Sequence, residues 1–248
     1  MQIGMTSLTL RNYTPAQVIA AAKEVGIQGI EWGVSDGHMP LEDAARAREI
    51  RELSEESSIE IFSLGSYCNM ENRKECDRTL HTAVMLGAPI IRIWAGRKSP
   101  ADCEEEYRRL IIDNTIYMSE CAAAHNITLG FEYHPYTLTE TCEDALALVR
   151  SVNRSNVGLY WQPGNSLSAE ENVRDRDRVL PCCVGNIHVQ NYSPENGYGL
   201  LEEIKDRLQA YFGDICGEPY RVMIEFVKDA SVENLKADAA ALLEMIRR

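Results

Sequence analysis

Four segments in the second half of the chain, residues 127–132, 157–162, 186–188 and 221–225, each end an apolar run with a side chain able to bind a metal or move a proton. The residues at those ends are Glu132, Gln162, His188 and Glu225. Together they offer three oxygen donors and one imidazole nitrogen, a mixture that suits a hard divalent cation. Any one of them alone has an ordinary structural explanation, such as a glutamate paired with a loop arginine or a histidine satisfied in the core. Four runs ending this way at regular spacing are hard to obtain from packing alone. The neighbouring residues carry two readings each. Trp32, Trp94 and Trp161 are apolar walls for the C–H faces of a sugar or else core filler. His134, two residues past Glu132, shares its face and is either a substrate contact or a loop bond, and Tyr67 stands where it reaches a cavity mouth. Arg92 reads as a buried partner for a site carboxylate or, the preferred reading, as a structural barrel-core ion pair, His38, His81 and His125 as incidental, and Gly197-Tyr198-Gly199 as a chain turn.

What positions these residues is an alternation of short β-rich runs with longer helical patterns, eight of each, spaced by roughly 30 residues as in repeated βα units. Strand starts fall near Gln2, Gly29, Glu60, Ile90, Thr128, Val157, Asn186 and Arg221. Thr14-Pro15 reads as an N-cap followed by an N1 proline, Glu143 and Asp144 as a helix first turn, and Gly26 and Gly87 as helix stops. Helical periodicity is clearest over residues 103–125 and 231–247. Residues 170–179, with Asp175, Arg176, Asp177 and Arg178 in succession, read as a solvated helix face. Period-2 alternation puts Glu132 on the side of Gly130 and Thr128, and Glu225 on the side of Met223, so both carboxylates face one interior. The expected fold is α/β, a single-domain (β/α)8 TIM barrel spanning residues 1–248, whose sites form at the C-terminal strand ends. An open doubly wound sheet would usually place a glycine-rich phosphate loop after its first strand, and none follows here.

Composition limits the alternatives. The 248 residues are 45% hydrophobic and 25% charged, proportions of an ordinary globular chain. A net charge of -13 opposes binding to a phosphate backbone, so no nucleic-acid partner is expected. No apolar run approaches the ~20 residues that cross a bilayer, and the opening residues lack a secretory pattern, so no membrane partner and a cytoplasmic location are expected. The eight cysteines have no paired C-x-x-C spacing and read as reduced thiols. Homo-oligomerisation is left open.

At the four strand-end residues the chain resembles the xylose-isomerase-like superfamily of sugar isomerases and epimerases. The resemblance extends over Gly29-Ile30-Glu31-Trp32, Ser63-Leu64-Gly65-Ser66-Tyr67, Leu86-Gly87-Ala88-Pro89-Ile90-Ile91-Arg92-Ile93-Trp94-Ala95-Gly96 and Gly130-Phe131-Glu132-Tyr133-His134-Pro135-Tyr136-Thr137-Leu138. It implies one divalent metal ion (Mn, Mg or Zn) held by Glu132, Gln162, His188 and Glu225, with Glu132 and Glu225 also the catalytic acid and base. Gln162 stands where the family has aspartate, removing one negative charge and predicting weaker metal affinity. Asn165 matches a loop position that contacts substrate in the family, beside the substrate-binding candidates His134, Trp32, Trp94 and Tyr67. Leu138 occupies a position that is acidic in the ketose epimerases. The implied activity is isomerisation or epimerisation of a small sugar, sugar phosphate or polyol through an enediolate. The alternatives are a dehydratase acting on a polyol or inosose, and a non-catalytic metabolite-binding barrel. The apurinic-endonuclease branch needs a histidine-rich multi-metal site and a basic surface, which five histidines and this charge do not supply.

Overall fold

In the computed structural model, which describes residues 1–246, eight parallel strands close into one barrel. They are β1 (Gln2–Thr6), β2 (Gly29–Gly33), β3 (Glu60–Gly65), β4 (Ile90–Ile93), β5 (Thr128–Phe131), β6 (Val157–Trp161), β7 (Cys183–Val189) and β10 (Arg221–Ile224). Sequential strands are neighbours, and β10 closes the ring on β1 with Gln2 opposite Arg221 and Met5 opposite Ile224. Around the barrel lie α1 (Pro15–Glu24), α2 (Ala44–Ser57), α3 (Arg73–Leu86), α4 (Glu105–Ala123), α5 (Cys142–Val152), α6 (Ala169–Val179), α7 (Lys205–Phe212) and α8 (Val232–Ile246). The fold is the expected single TIM barrel. None of the described helices is long and apolar enough to cross a membrane.

Local chemistry accounts for the helix ends. Thr14 caps α1 reciprocally with Gln17, and Ser168 caps α6 with Glu171, so each satisfies backbone N–H groups that have no partner within the helix. Gly87 ends α3 at φ 74°, the left-handed conformation glycine adopts without strain.

Seven strands begin where the sequence predicts. β7 instead starts at Cys183, three residues before Asn186, because Gly158 lets the chain at Cys182 pack closely: a Cβ at Gly158 would lie 2.3 Å from the Cys182 carbonyl oxygen. The charged run of α6 is also only partly solvated. Arg176 is buried and donates to both carboxylate oxygens of Asp214 and to the Tyr211 carbonyl, pinning α6 to the end of α7. Of the C-terminal helical stretch, Arg247 lies outside the described residues. A further departure is a two-stranded antiparallel ribbon, β8 (Tyr192–Ser193) and β9 (Gly197–Tyr198), where a simple turn is expected.

Inside the barrel, Phe62, Ile90, Tyr160 and Met223 form a small apolar cluster backed by Val184. Phe62 fits there because β1 and β2 present glycine to it. A Cβ at Gly29 would stand 2.2 Å from the Phe62 ring, and one at Gly4 2.7 Å. The Arg221 guanidinium lies over the same ring at 4.9 Å. This cluster is the floor on which the polar layer above it rests.

Candidate active site

Above that floor the inward positions of the strands turn polar. Glu31 on β2, Arg92 on β4, and Asn186 and His188 on β7 are all buried. Glu132, Gln162, Gln190 and Glu225 follow one residue past the ends of β5, β6, β7 and β10, where a TIM barrel builds its sites.

Arg92 is the hub of this layer. Its Nη1 donates to Glu132 Oε1 at 2.7 Å and lies 3.6 Å from Glu225 Oε1, while Nε stands 3.3 Å from Glu31 Oε1. His188 lies among the same three carboxylates: Nδ1 is 3.3 Å from Glu132 and 3.5 Å from Glu225, and Nε2 is 3.4 Å from Glu31. These are charge contacts, since neither ring nitrogen makes a hydrogen bond of good geometry. Glu31 Oε2 accepts from the Ser63 hydroxyl at 2.8 Å and the Tyr160 hydroxyl at 3.0 Å, and Asn186 Nδ2 donates to the tyrosine oxygen at 2.8 Å. Trp94 Nε1 donates to Glu132 Oε2 at 2.7 Å, so both Glu132 oxygens are engaged.

The electrostatics follow from these contacts. Burial alone would raise the Glu132 pKa, but the Arg92 charge, His188 and the Trp94 N–H outweigh it and hold the carboxyl at about 2. Glu31 is likewise lowered, burial being overcome by Arg92 and His188. Burial opposes charge on His188, yet Glu225, Glu31 and Glu132 prevail and raise its pKa well above the usual imidazole range. Three buried carboxylates thus face one guanidinium and one imidazole.

That balance fits a divalent cation. A cation would displace the proton that these carboxylates hold on His188; with the imidazole then neutral, the layer carries two more negative than positive charges, and ligand atoms of Glu132, His188 and Glu225 all lie within 4.8 Å of one another. Gln162 turns its Nε2 to the Tyr133 carbonyl at 2.8 Å, which leaves its buried Oε1 without a partner. Glu132, His188 and Glu225, with the Gln162 oxygen, are the residues that could hold such an ion.

Over this cluster opens a cavity of about 370 Å3, within the ~300–1,000 Å3 range of small-molecule sites. Glu132, Gln162, Glu225, His134, Asn165, Trp94 and Tyr67 all line it. Trp94 stacks on His134 at 4.0 Å and meets Tyr67 edge-on at 5.5 Å. Trp32 does not belong to the site. Because Glu31 points into the barrel, period-2 alternation sends Trp32 outward, where it is fully buried and edge-on to His38. Trp161 is turned out in the same way, against Tyr211 and Phe212. Reading the strand ends alone misses Glu31, Gln190 and Tyr198. Glu31 had a signal, an acid within an otherwise apolar strand; Gln190 had the spacing of a strand-end residue; Tyr198 had only its place between two glycines after the seventh strand, which reads as a turn.

A sequence model of the xylose isomerase-like TIM barrel matches residues 19–235. The chain belongs to that family. Among its relatives is the 3-dehydroshikimate dehydratase of Bacillus anthracis, 24% identical over 161 residues, or 59% of this chain and 58% of that protein. The chain therefore spans less than two thirds of this curated relative. A probable 3-dehydroshikimate dehydratase structure from Bacillus anthracis superposes with a TM-score of 0.78 at 20% identity, covering 98% of this chain and 99% of that one. The 3-keto-D-glucoside 4-epimerase of E. coli matches with a TM-score of 0.72 at 14% identity over the whole of both chains. A family member from Mycobacterium smegmatis, solved in complex with magnesium, matches with a TM-score of 0.67 at 17% identity over 99% of this chain and 96% of that one. At these identities the likenesses show the fold. Xylose isomerase-like barrels include epimerases and a dehydratase among these neighbours, so the family leaves the reaction class open.

Proposed function

We propose that this barrel is a metal-assisted enzyme that removes a proton beside the carbonyl of a small, uncharged polyhydroxy compound and returns one, as a sugar isomerase or epimerase. The observation that carries this reading is the pair Glu132 and Glu225, set with His188 at the base of a cavity lined by amides and aromatic rings. A divalent cation held by Glu132, Gln162, His188 and Glu225 would stabilise the negative charge that develops on the substrate oxygens.

The two glutamates have unequal parts. Glu132 is fixed by Arg92 and Trp94 and stays ionised, whereas Glu225 has only its longer contacts to Arg92 and His188. Glu225 is therefore the carboxylate free to take the proton and, protonated, to give one back; for Glu132 to return a proton instead, its contacts to Arg92 and Trp94 must first break and it must take that proton from solvent. The amide oxygen of Gln190, buried without a partner, is an acceptor suited to a substrate hydroxyl. Trp94 and His134 offer flat faces to ring C–H groups.

Dehydration is the second reading, favoured by the similarity to 3-dehydroshikimate dehydratase. It begins with the same proton removal and ends with loss of a β-hydroxyl as water. An acid such as 3-dehydroshikimate suits this cavity less well. Its described lining has no lysine, and its one arginine, Arg92, is already bound by Glu31 and Glu132.

The test is incubation with Mn2+ and a panel of aldoses and ketoses in D2O. Isomerisation or epimerisation gives a product carrying solvent deuterium with no other mass change, and dehydration gives loss of water. Glu225→Gln should abolish deuterium incorporation while the substrate still binds. Undiminished exchange in that variant and in Glu132→Gln would sink the mechanism.

A further inference from the structure

Among the described residues, the exposed large hydrophobic side chains are Leu110 and four tyrosines, Tyr67, Tyr136, Tyr192 and Tyr198. Three of the tyrosines line the cavity over the polar layer, and Tyr136 follows its lining residue Pro135. Chance scatter would spread such rings over the whole surface. Tyr67 follows β3, beside Trp94 after β4 and His134 after β5, while Tyr192 and Tyr198 belong to the ribbon after β7 and pack towards Phe226 after β10. In the closed barrel these two groups are separated by β6 on one side and by β1 and β2 on the other, so they face each other across the mouth.

The second group is built for this position. The ribbon pairs with no barrel strand, and its register sets Tyr192 directly opposite Tyr198, with ring centroids 5.1 Å apart. Tyr198 then lies 5.3 Å from Phe226, whose backbone is held at φ 59°, an uncommon conformation for a bulky residue. Burial grades sharply from base to rim: Glu132 is 3% and Glu225 8% exposed, against 45% for Tyr67 and 36% for Tyr198.

We infer that the mouth is a second subsite, for an uncharged sugar ring glycosidically joined to the ring that reacts below. The inference rests on the proposed sugar chemistry of the deeper site and makes its substrate a glycoside. Tyrosine rings on the two sides of the mouth would pack against the C–H groups of a pyranose, and the side-chain amide of Asn165 lies in the same lining to meet its hydroxyls. No lysine among the described lining residues selects for charge.

Titration calorimetry of the Mn2+-supplemented protein with cellobiose, maltose and lactose, against D-glucose and D-galactose, tests this. At least one disaccharide should bind about tenfold tighter than its component sugars. Tyr198→Ala and Tyr67→Ala should each bring the ratio of disaccharide to monosaccharide affinity towards one, and Tyr198→Phe should keep it. Disaccharides binding no better than monosaccharides, or an advantage that survives both alanine variants, would overturn the subsite. So would a gain confined to phenyl β-D-glucoside, which would mark the mouth as an aryl site. A tyrosine-dependent gain with neither deuterium uptake nor water loss would reject the proposed reaction and leave the subsite standing.

Discussion

Gln162 is the residue at which this site departs from its family's expected ligands, and its effect can be measured in both directions. An aspartate there adds a fourth carboxylate to a layer that already holds three against one guanidinium. Without metal, that extra charge has no counter-ion and should lower the melting temperature of the Gln162→Asp protein. With Mn2+ it should tighten binding about tenfold or more, as an added ligand charge does in oxygen-rich sites. Calorimetric titration and thermal melts read both effects. Equal Mn2+ affinity in the two proteins would remove Gln162 from the metal shell. Arg92 has the opposite sign. Arg92→Met leaves Glu31 and Glu132 with His188 but without the guanidinium they share, and the cost should be about 3–5 kcal/mol, the size seen when one member of a buried ion pair is removed. An unfolding midpoint close to that of the parent protein would show that this hub does not hold the carboxylates in place.

At the scale of elements, β2 illustrates how much the sequence discloses. Its start at Gly29 is legible from a β-rich run, but the facing of its side chains is decided by Glu31. The alternation that correctly turns Glu132 and Glu225 inward also turns Trp32 outward, once Glu31 is recognised as an interior residue. The ribbon of β8 and β9 was hidden because two-residue strands have no periodicity to read, and Arg176 because a charged run looks the same whether or not one member is buried. Gly29 on β2 also carries a test. Gly29→Ala drives a methyl group into the enclosed Phe62 ring and should cost about 2 kcal/mol or more in chemical denaturation, the range of overpacking. Between α8 and the short turn at Leu201–Ile204, Asp238 accepts the Leu201 N–H at 2.7 Å. Burial pushes its carboxyl up to about 6, so the folded state holds this proton more tightly than the unfolded chain. Stability from this group therefore declines as pH rises from about 4 to about 6 and stays reduced above that. Asp238→Asn should be about 2 kcal/mol more stable than the parent at pH 7.5 and close to it near pH 4, by urea unfolding at the two pH values. A constant difference would mean that the gain has another source.

For the whole molecule, a formal charge of -13 sets long-range behaviour. Counterion release cannot drive association with a polyanion when the protein field repels it, so a duplex DNA probe should show no retarded band at physiological salt. A salt-sensitive shift would contradict that. The barrel's shape has a separate bearing on traffic. Phe62, held between Gly4 and Gly29 and backed by Ile90, Tyr160 and Met223, blocks the interior below the polar layer and makes the site a cul-de-sac. Reactant and product must then use a single doorway and cannot pass in sequence through the protein. Product accumulating in solution occupies the space its precursor needs, so its inhibition should be competitive. A viscogen that slows passage at the doorway should depress turnover wherever departure, and not proton transfer, sets the pace.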